Sequence, residues 1–208
     1  MKGLVIKDLI QIKHMLQKRD AVFVVGLIAV TFFCVPEYAG LLISAFFLFT
    51  VSGYSNTVAI CEAQTQWNEY EAVLPLTLGQ RVKAKYYFAI GLLCCMFCIT
   101  IVLNFFVHFI FKSDYYFEIL LIEFWFAYMQ MLFAIPCNIK KDENSGGYVF
   151  GIFLVAILLI YAVSKYFGSS LFQVLLFLGN QIVLIVAFPI SIILGTIISY
   201  KISLKNYR

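Results

Sequence analysis

YYFAIGLLCCMFCITIVLNFFVHFIF, residues 86–111, contains no Asp, Glu, Lys or Arg. A helix rises about 1.5 Å per residue and a bilayer's hydrocarbon core is about 30 Å thick, so about 20 apolar residues suffice to cross it. The stretch reads as a membrane span. Basic residues stand at its two ends: Arg81, Lys83 and Lys85 before it, Lys112 after it.

Working outward, thirteen of the fifteen Lys and Arg residues fall in four clusters outside the apolar runs. These are Lys2, Lys7, Lys13, Lys18 and Arg19; Arg81, Lys83 and Lys85; Lys140 and Lys141; and Lys201, Lys205 and Arg208. Basic residues concentrate on the cytoplasmic side of membrane proteins. An even number of crossings with both termini in the cytoplasm is therefore expected.

The apolar runs supply six spans. The first runs from about residue 21 to 35 and turns at Pro36-Glu37; the second covers about 38–60. Residues 86–111 are the third, 117–137 the fourth, ending near Pro136, and 148–164 the fifth. The run 171–200 would extend about 45 Å as one helix, too long for a single crossing. Gly179, Asn180 and Gln181 divide it, which predicts a short re-entrant or interfacial helix at 168–178 and a sixth span at 181–200. One tilted helix kinked at Pro189 is the alternative. The fold class is all-α and polytopic, a single transmembrane domain over 1–208.

Composition agrees. The chain is 63% hydrophobic, only 12% charged, and has a mean hydropathy of +0.95. A soluble domain is about a quarter charged. The formal charge of +4 is read as topology and attraction to anionic lipid, not as a nucleic-acid footprint. No cleavable signal is expected. The six cysteines lie in or beside apolar runs without spaced His partners, so they read as small buried hydrophobes, and no metal site is expected.

Residues 4–19 pattern as an amphipathic helix lying in the membrane interface, with Val5, Leu9, Ile12 and Leu16 on one face and Lys7, Gln11, His14 and Lys18 opposite. Between the second and third spans lies CEAQTQWNEYEAVLPLTLGQRVKAKYY, residues 61–87. Trp67, Tyr70 and Leu74 share one helical face. Pro75 separates an acidic first half from a basic second half. Thr77-x-x-Gln80 fits a capping box, which starts a new helix at Leu78. The segment 61–85 reads either as a lever held between two spans or as an interhelical loop whose aromatics pack on headgroups.

The run Glu62, Trp67, Tyr70, Leu74-Pro75, Lys85-Tyr86 resembles the E…KW..Y…LP.(S/T)R…..KY signature of small ABC-2-type transporter permeases. The opening MKGLVIKDLIQIK and six spans in about 200 residues are similar to that family too, so the likeness covers the whole chain. Within the family it most resembles the permease subunits of the phenol-soluble modulin exporter. One departure is that Leu78-Gly79-Gln80 stands where the family often has a basic residue, with the first Arg at 81.

The resemblance implies a permease subunit of an ATP-driven exporter in a bacterial plasma membrane, expelling amphipathic or antimicrobial-type peptides. It implies a partner ABC ATPase subunit, which would hold the ATP and Mg; no cofactor is expected in this chain. It also implies a second permease copy, identical or related. Glu62, Trp67, Tyr70, Leu74, Pro75 and Lys85 become candidates for the ATPase interface. The sequence contains no GxxxxGK(S/T) phosphate loop. Catalytic residues are not expected: the two histidines, His14 and His108, are assigned to opposite sides of the membrane, and no Asp lies within a span. A non-transporting sensor or immunity protein that sequesters a peptide is the alternative of another class.

Inside the membrane, His108 and Glu123 form a candidate outer gate, since charged groups in spans are costly and often functional. The simpler reading is a Glu that snorkels outward and a His that anchors. Ser52, Gly53, Ser55, Asn56 and Thr57 in the second span suit close helix packing.

Overall fold

The computed structural model describes residues 2–15, 18–34, 39–64, 67, 73, 75–111, 117–139 and 183–206. Six α-helices occur among them: α1 (Lys2–Met15), α2 (Lys18–Cys34), α3 (Ala39–Gln64), α4 (Leu78–Phe111), α5 (Phe117–Ile139) and α6 (Phe188–Asn206). A π-helical turn, Val183–Ala187, leads into α6. Pro189 explains its place. Without an N–H it cannot bond the carbonyl four residues back, and the ladder widens there. The expected fifth span, 148–164, and the expected re-entrant helix, 168–178, lie outside the described residues.

Among the described residues, three stretches are long and apolar enough to cross a bilayer: Leu78–Ile110, Phe117–Ile139 and Ile185–Asn206. Shorter apolar stretches, Val24–Cys34 and Ala39–Tyr54, occupy α2 and α3. α4 has 34 residues and is therefore about 51 Å long, so its first turns project beyond a core of about 30 Å. Arg81, Lys83 and Lys85 lie on that projection.

α3 packs between α4 and α5, and α6 packs mainly on α5. The core joins Leu48 and Val51 of α3, Val82, Tyr86 and Leu93 of α4, and Ala127, Met131 and Leu132 of α5. Phe105, Phe106 and Phe109 of α4 stay exposed, an apolar face that suits lipid. Cys94, Cys95 and Cys98 lie on exposed α4 positions too, which corrects the expectation of buried cysteines. A small apolar side chain facing lipid looks the same in sequence as one facing protein.

Polar groups tie the helices together. Ser44 Oγ is shared between Leu41 O and Glu123 Oε2, at 2.8 and 2.7 Å. Two turns on, Ser52 Oγ is shared between Phe49 O and Gln130 Oε1, at 2.8 and 3.0 Å. Hydroxyls of α3 thus clasp α5, the packing role expected for Ser52. Trp125 donates to Ser191 Oγ at 2.7 Å and stacks on Phe188 at 4.9 Å between ring centroids.

Pro136 sits inside α5 instead of ending it; the helix continues to Ile139. A proline there leaves the Leu132 carbonyl without its intrahelical donor. Ser199 of α6 supplies the missing hydrogen at 2.6 Å, and Asn206 Nδ2 donates to Pro136 O at 3.0 Å. The neighbouring helix makes the proline tolerable in an apolar medium.

Gly40 permits a close approach of α3 to α4. A Cβ there would lie 2.5 Å from Asn104 Oδ1, and Asn104 is buried, donating to Thr100 O at 2.9 Å. Gly40→Ala is expected to cost about 1–3 kcal/mol, read as a lower melting temperature in detergent. In an Asn104→Ala background the penalty should shrink; the same penalty in both backgrounds would reject this contact as its cause.

Candidate functional site

At the end of the bundle that carries the basic residues, three helices converge on one carboxylate. Glu62 lies in the last turn of α3 and is 1% exposed. Lys7 of α1 donates to its Oε1, and Lys85 of α4 donates to its Oε2 at 2.5 Å. Lys7 also lies 2.7 Å from Asp8 Oδ1 and 4.8 Å from the ring centroid of Trp67. A cation over an indole face is attracted by the ring quadrupole. Lys7 thereby joins two carboxylates and an aromatic from three parts of the chain.

The local sequence accounts for each placement. Leu4, Asp8 and Ile12 recur every fourth residue and form the buried stripe of α1. Ile12 packs with Val58 of α3 and Phe88 of α4. Ile6, Leu9 and Ile10 point away and are about half exposed. Leu9 therefore belongs to an outer apolar face instead of sharing the face of Ile12 as expected. The helix has two apolar sides, one against the bundle and one open to lipid. α1 is described to Met15 and α2 from Lys18.

The start of α4 is built as the capping box predicts. Thr77 N donates to Gln80 Oε1 at 3.1 Å, and Gln80 N donates to Thr77 Oγ1 at 3.4 Å. The reciprocal pair satisfies amides the helix cannot satisfy itself. Arg81 Nη2 adds a bond to Leu76 O at 3.3 Å. The cap fixes where α4 begins, and with it the position of Lys85 two turns on.

Electrostatics separate the two acids. Burial pushes the Glu62 carboxyl up, but Lys85 and Lys7 outweigh it through charge and hydrogen bonding, and hold it below its ordinary value. Asp8 moves the other way. Burial raises it, and Lys7, shared with Glu62, offsets only part of that. The arrangement is an ionic pin that ties α1, α3 and α4 at one end of the bundle.

Of the residues singled out in the sequence, the structure brings Glu62, Trp67 and Lys85 into this cluster. Pro75 is exposed, just ahead of the cap. Tyr70 and Leu74 lie outside the described residues. His108 is exposed on the far part of α4, and Glu123 is half-buried on α5 with Ser44 as its hydrogen-bond donor. Lys7 and Asp8 were not singled out as site residues. Asp8 carried a usable signal: it is an acid in a basic helix, one turn from both Leu4 and Ile12. Among the described residues no group of three His, Cys, Asp or Glu is placed to hold a metal.

The family model described as ABC-2 family transporter protein matches residues 3–208. No curated protein and no solved structure matches the chain.

Proposed function

We propose a specific role for this chain, which belongs to the ABC-2 family of transporter proteins: it is the permease subunit that receives mechanical work from a separate ATPase at the segment 61–85. Members of this family are multi-pass membrane components of transport, and an ABC ATPase is the partner the family implies. The observation that carries the finer reading is the Lys7–Glu62–Lys85 pin. Through it, a push on the segment between α3 and α4 reaches the N-terminal helix and a membrane-crossing helix at once. A loosely attached loop would absorb such a push.

ATP binding would draw two ATPase subunits together, and the pinned helices would pass that motion to the spans. Two permease copies, identical or related, would enclose the path, since six helices alone can hardly surround a peptide. Amphipathic peptides are the proposed substrate, supported by the chain's likeness, within the family, to phenol-soluble modulin exporter permeases. The bacterial plasma membrane is the proposed site.

Purification of the chain from its native membranes through a C-terminal tag tests the role. A stoichiometric ATPase is expected to co-elute, and to be lost from the Trp67→Glu/Tyr70→Glu variant while the variant stays folded. A chain that elutes alone and leaves ATP untouched would favour a sensor or immunity protein instead.

A further inference from the structure

The start of α4 and the end of α6 leave between them a cavity of about 490 Å³, lined by Thr77, Leu78, Gly79, Lys201, Leu204 and Lys205. The two elements are close here: a Cβ on Gly79 would stand 3.6 Å from Tyr200 Oη. Lys201 and Lys205 are one helical turn apart and exposed. At the same end of the bundle Lys7 and Lys85 are both paired with Glu62. Lys201 and Lys205 have no ion pair among the described residues.

The depth of the cavity narrows what it could hold. The apolar part of α6 ends at Tyr200, immediately before Lys201. At about 1.5 Å per residue, Lys201 and Lys205 stand about 2 and 8 Å beyond it, within or at the edge of a headgroup layer of about 5–7 Å per side. The lining sets the two ammonium groups beside the aliphatic side chains of Leu78 and Leu204. A soluble anion would gain nothing from the two leucines. A protein partner would have to reach past the headgroups to meet Lys201. A phosphodiester whose own acyl chains continue down the helices fits both halves.

We propose that this cavity is a binding site for the headgroup of an anionic glycerophospholipid, such as phosphatidylglycerol or cardiolipin, held by Lys201 and Lys205. Basic pockets between membrane helices take such headgroups. The bound lipid bridges the first turn of α4 and the last turns of α6. The site depends on the membrane placement of the helices and not on the transport role.

The test is native mass spectrometry of the purified full chain, titrated with phosphatidylglycerol and, separately, with phosphatidylcholine. One tightly held phosphatidylglycerol per chain is expected, with phosphatidylcholine far weaker. Lys201→Gln/Lys205→Gln should lower the apparent affinity by about 30-fold, from about a tenfold or less per lysine. Gly79→Phe keeps both charges but fills the cavity, and should also displace the lipid; helix content by circular dichroism confirms that it folds. Retention of phosphatidylglycerol in both variants would overturn the proposal. So would displacement by inorganic phosphate at equal concentration, which would make the ligand a free anion. Unchanged lipid binding with loss of the co-eluting ATPase in Lys201→Gln/Lys205→Gln would also overturn it, and would leave the permease reading intact.

Discussion

Replacing Glu62 with alanine is expected to detach the N-terminal helix from the bundle and to abolish coupled transport. The carboxylate is 1% exposed and holds two ammonium groups. Removing one partner of a buried ion pair costs about 3–5 kcal/mol when the other is left buried. Lys7 and Lys85 retain about 20% of their side-chain exposure, so their stems can turn the charges partly to water. About 2 kcal/mol is the expected loss. Hydrogen exchange should locate it: amides of α1 open faster, while those of α5 and α6 change little. Glu62→Gln keeps the shape and removes the charge, and should fall between the two. Protection of α1 unchanged in Glu62→Ala would mean that Ile12, Val58 and Phe88 hold the helix without the pin.

The same pin sets a pH dependence. The folded Glu62 carboxyl titrates below its ordinary value, so its contribution is present above the unfolded value of about 4.3 and disappears as the pH falls through the lowered folded value. Asp8 has the opposite sign. Its raised carboxyl favours the folded state most at low pH, and that contribution fades as the pH rises through the folded value. The wild-type acid transition of α1 should therefore sharpen in Asp8→Asn, which removes the opposing acid, and should lose its Glu62 component in Glu62→Gln.

What could be read from residue order was whatever local chemistry decides. The Thr77–Gln80 box is complete within four residues, and α4 begins where it says. The run 86–111 carries no Asp, Glu, Lys or Arg and lies wholly within α4. Pairings over long separation were not legible. Lys7 and Glu62 are 55 residues apart, and nothing in either neighbourhood names the other. The single face assigned to residues 4–19 failed for a related reason. A helix between lipid and protein is apolar on two sides, and the acid buried on its inner side is stabilised by the Lys7 it adjoins. In the sequence Pro136 reads as standing near the end of the fourth span. The partner that repairs the loss, Ser199, lies on another helix.

That repair carries the second large effect. Ser199→Ala should destabilise the α5–α6 contact by about 1–2 kcal/mol, near the upper end of polar contributions between membrane helices. Ser199 has one hydrogen, and it goes to Leu132 O at 2.6 Å. Tyr86, whose hydroxyl lies 2.5 Å from Ser199 Oγ, must then donate to Ser199, and Ser203 at 2.9 Å must donate to Tyr86. Alanine breaks this chain in the middle and leaves the Leu132 carbonyl unsatisfied in an apolar interior, where no water replaces the donor. The proline provides the decisive control. Pro136→Ala restores an N–H four residues after Leu132, so the carbonyl regains an intrahelical donor and no longer depends on Ser199. The cost of Ser199→Ala should therefore be smaller in a Pro136→Ala background, a coupling of about 0.5–1.5 kcal/mol in a double-mutant cycle of detergent unfolding. Additive effects would show that Ser199 matters through Tyr86 alone, and that α5 accommodates its proline without help from α6.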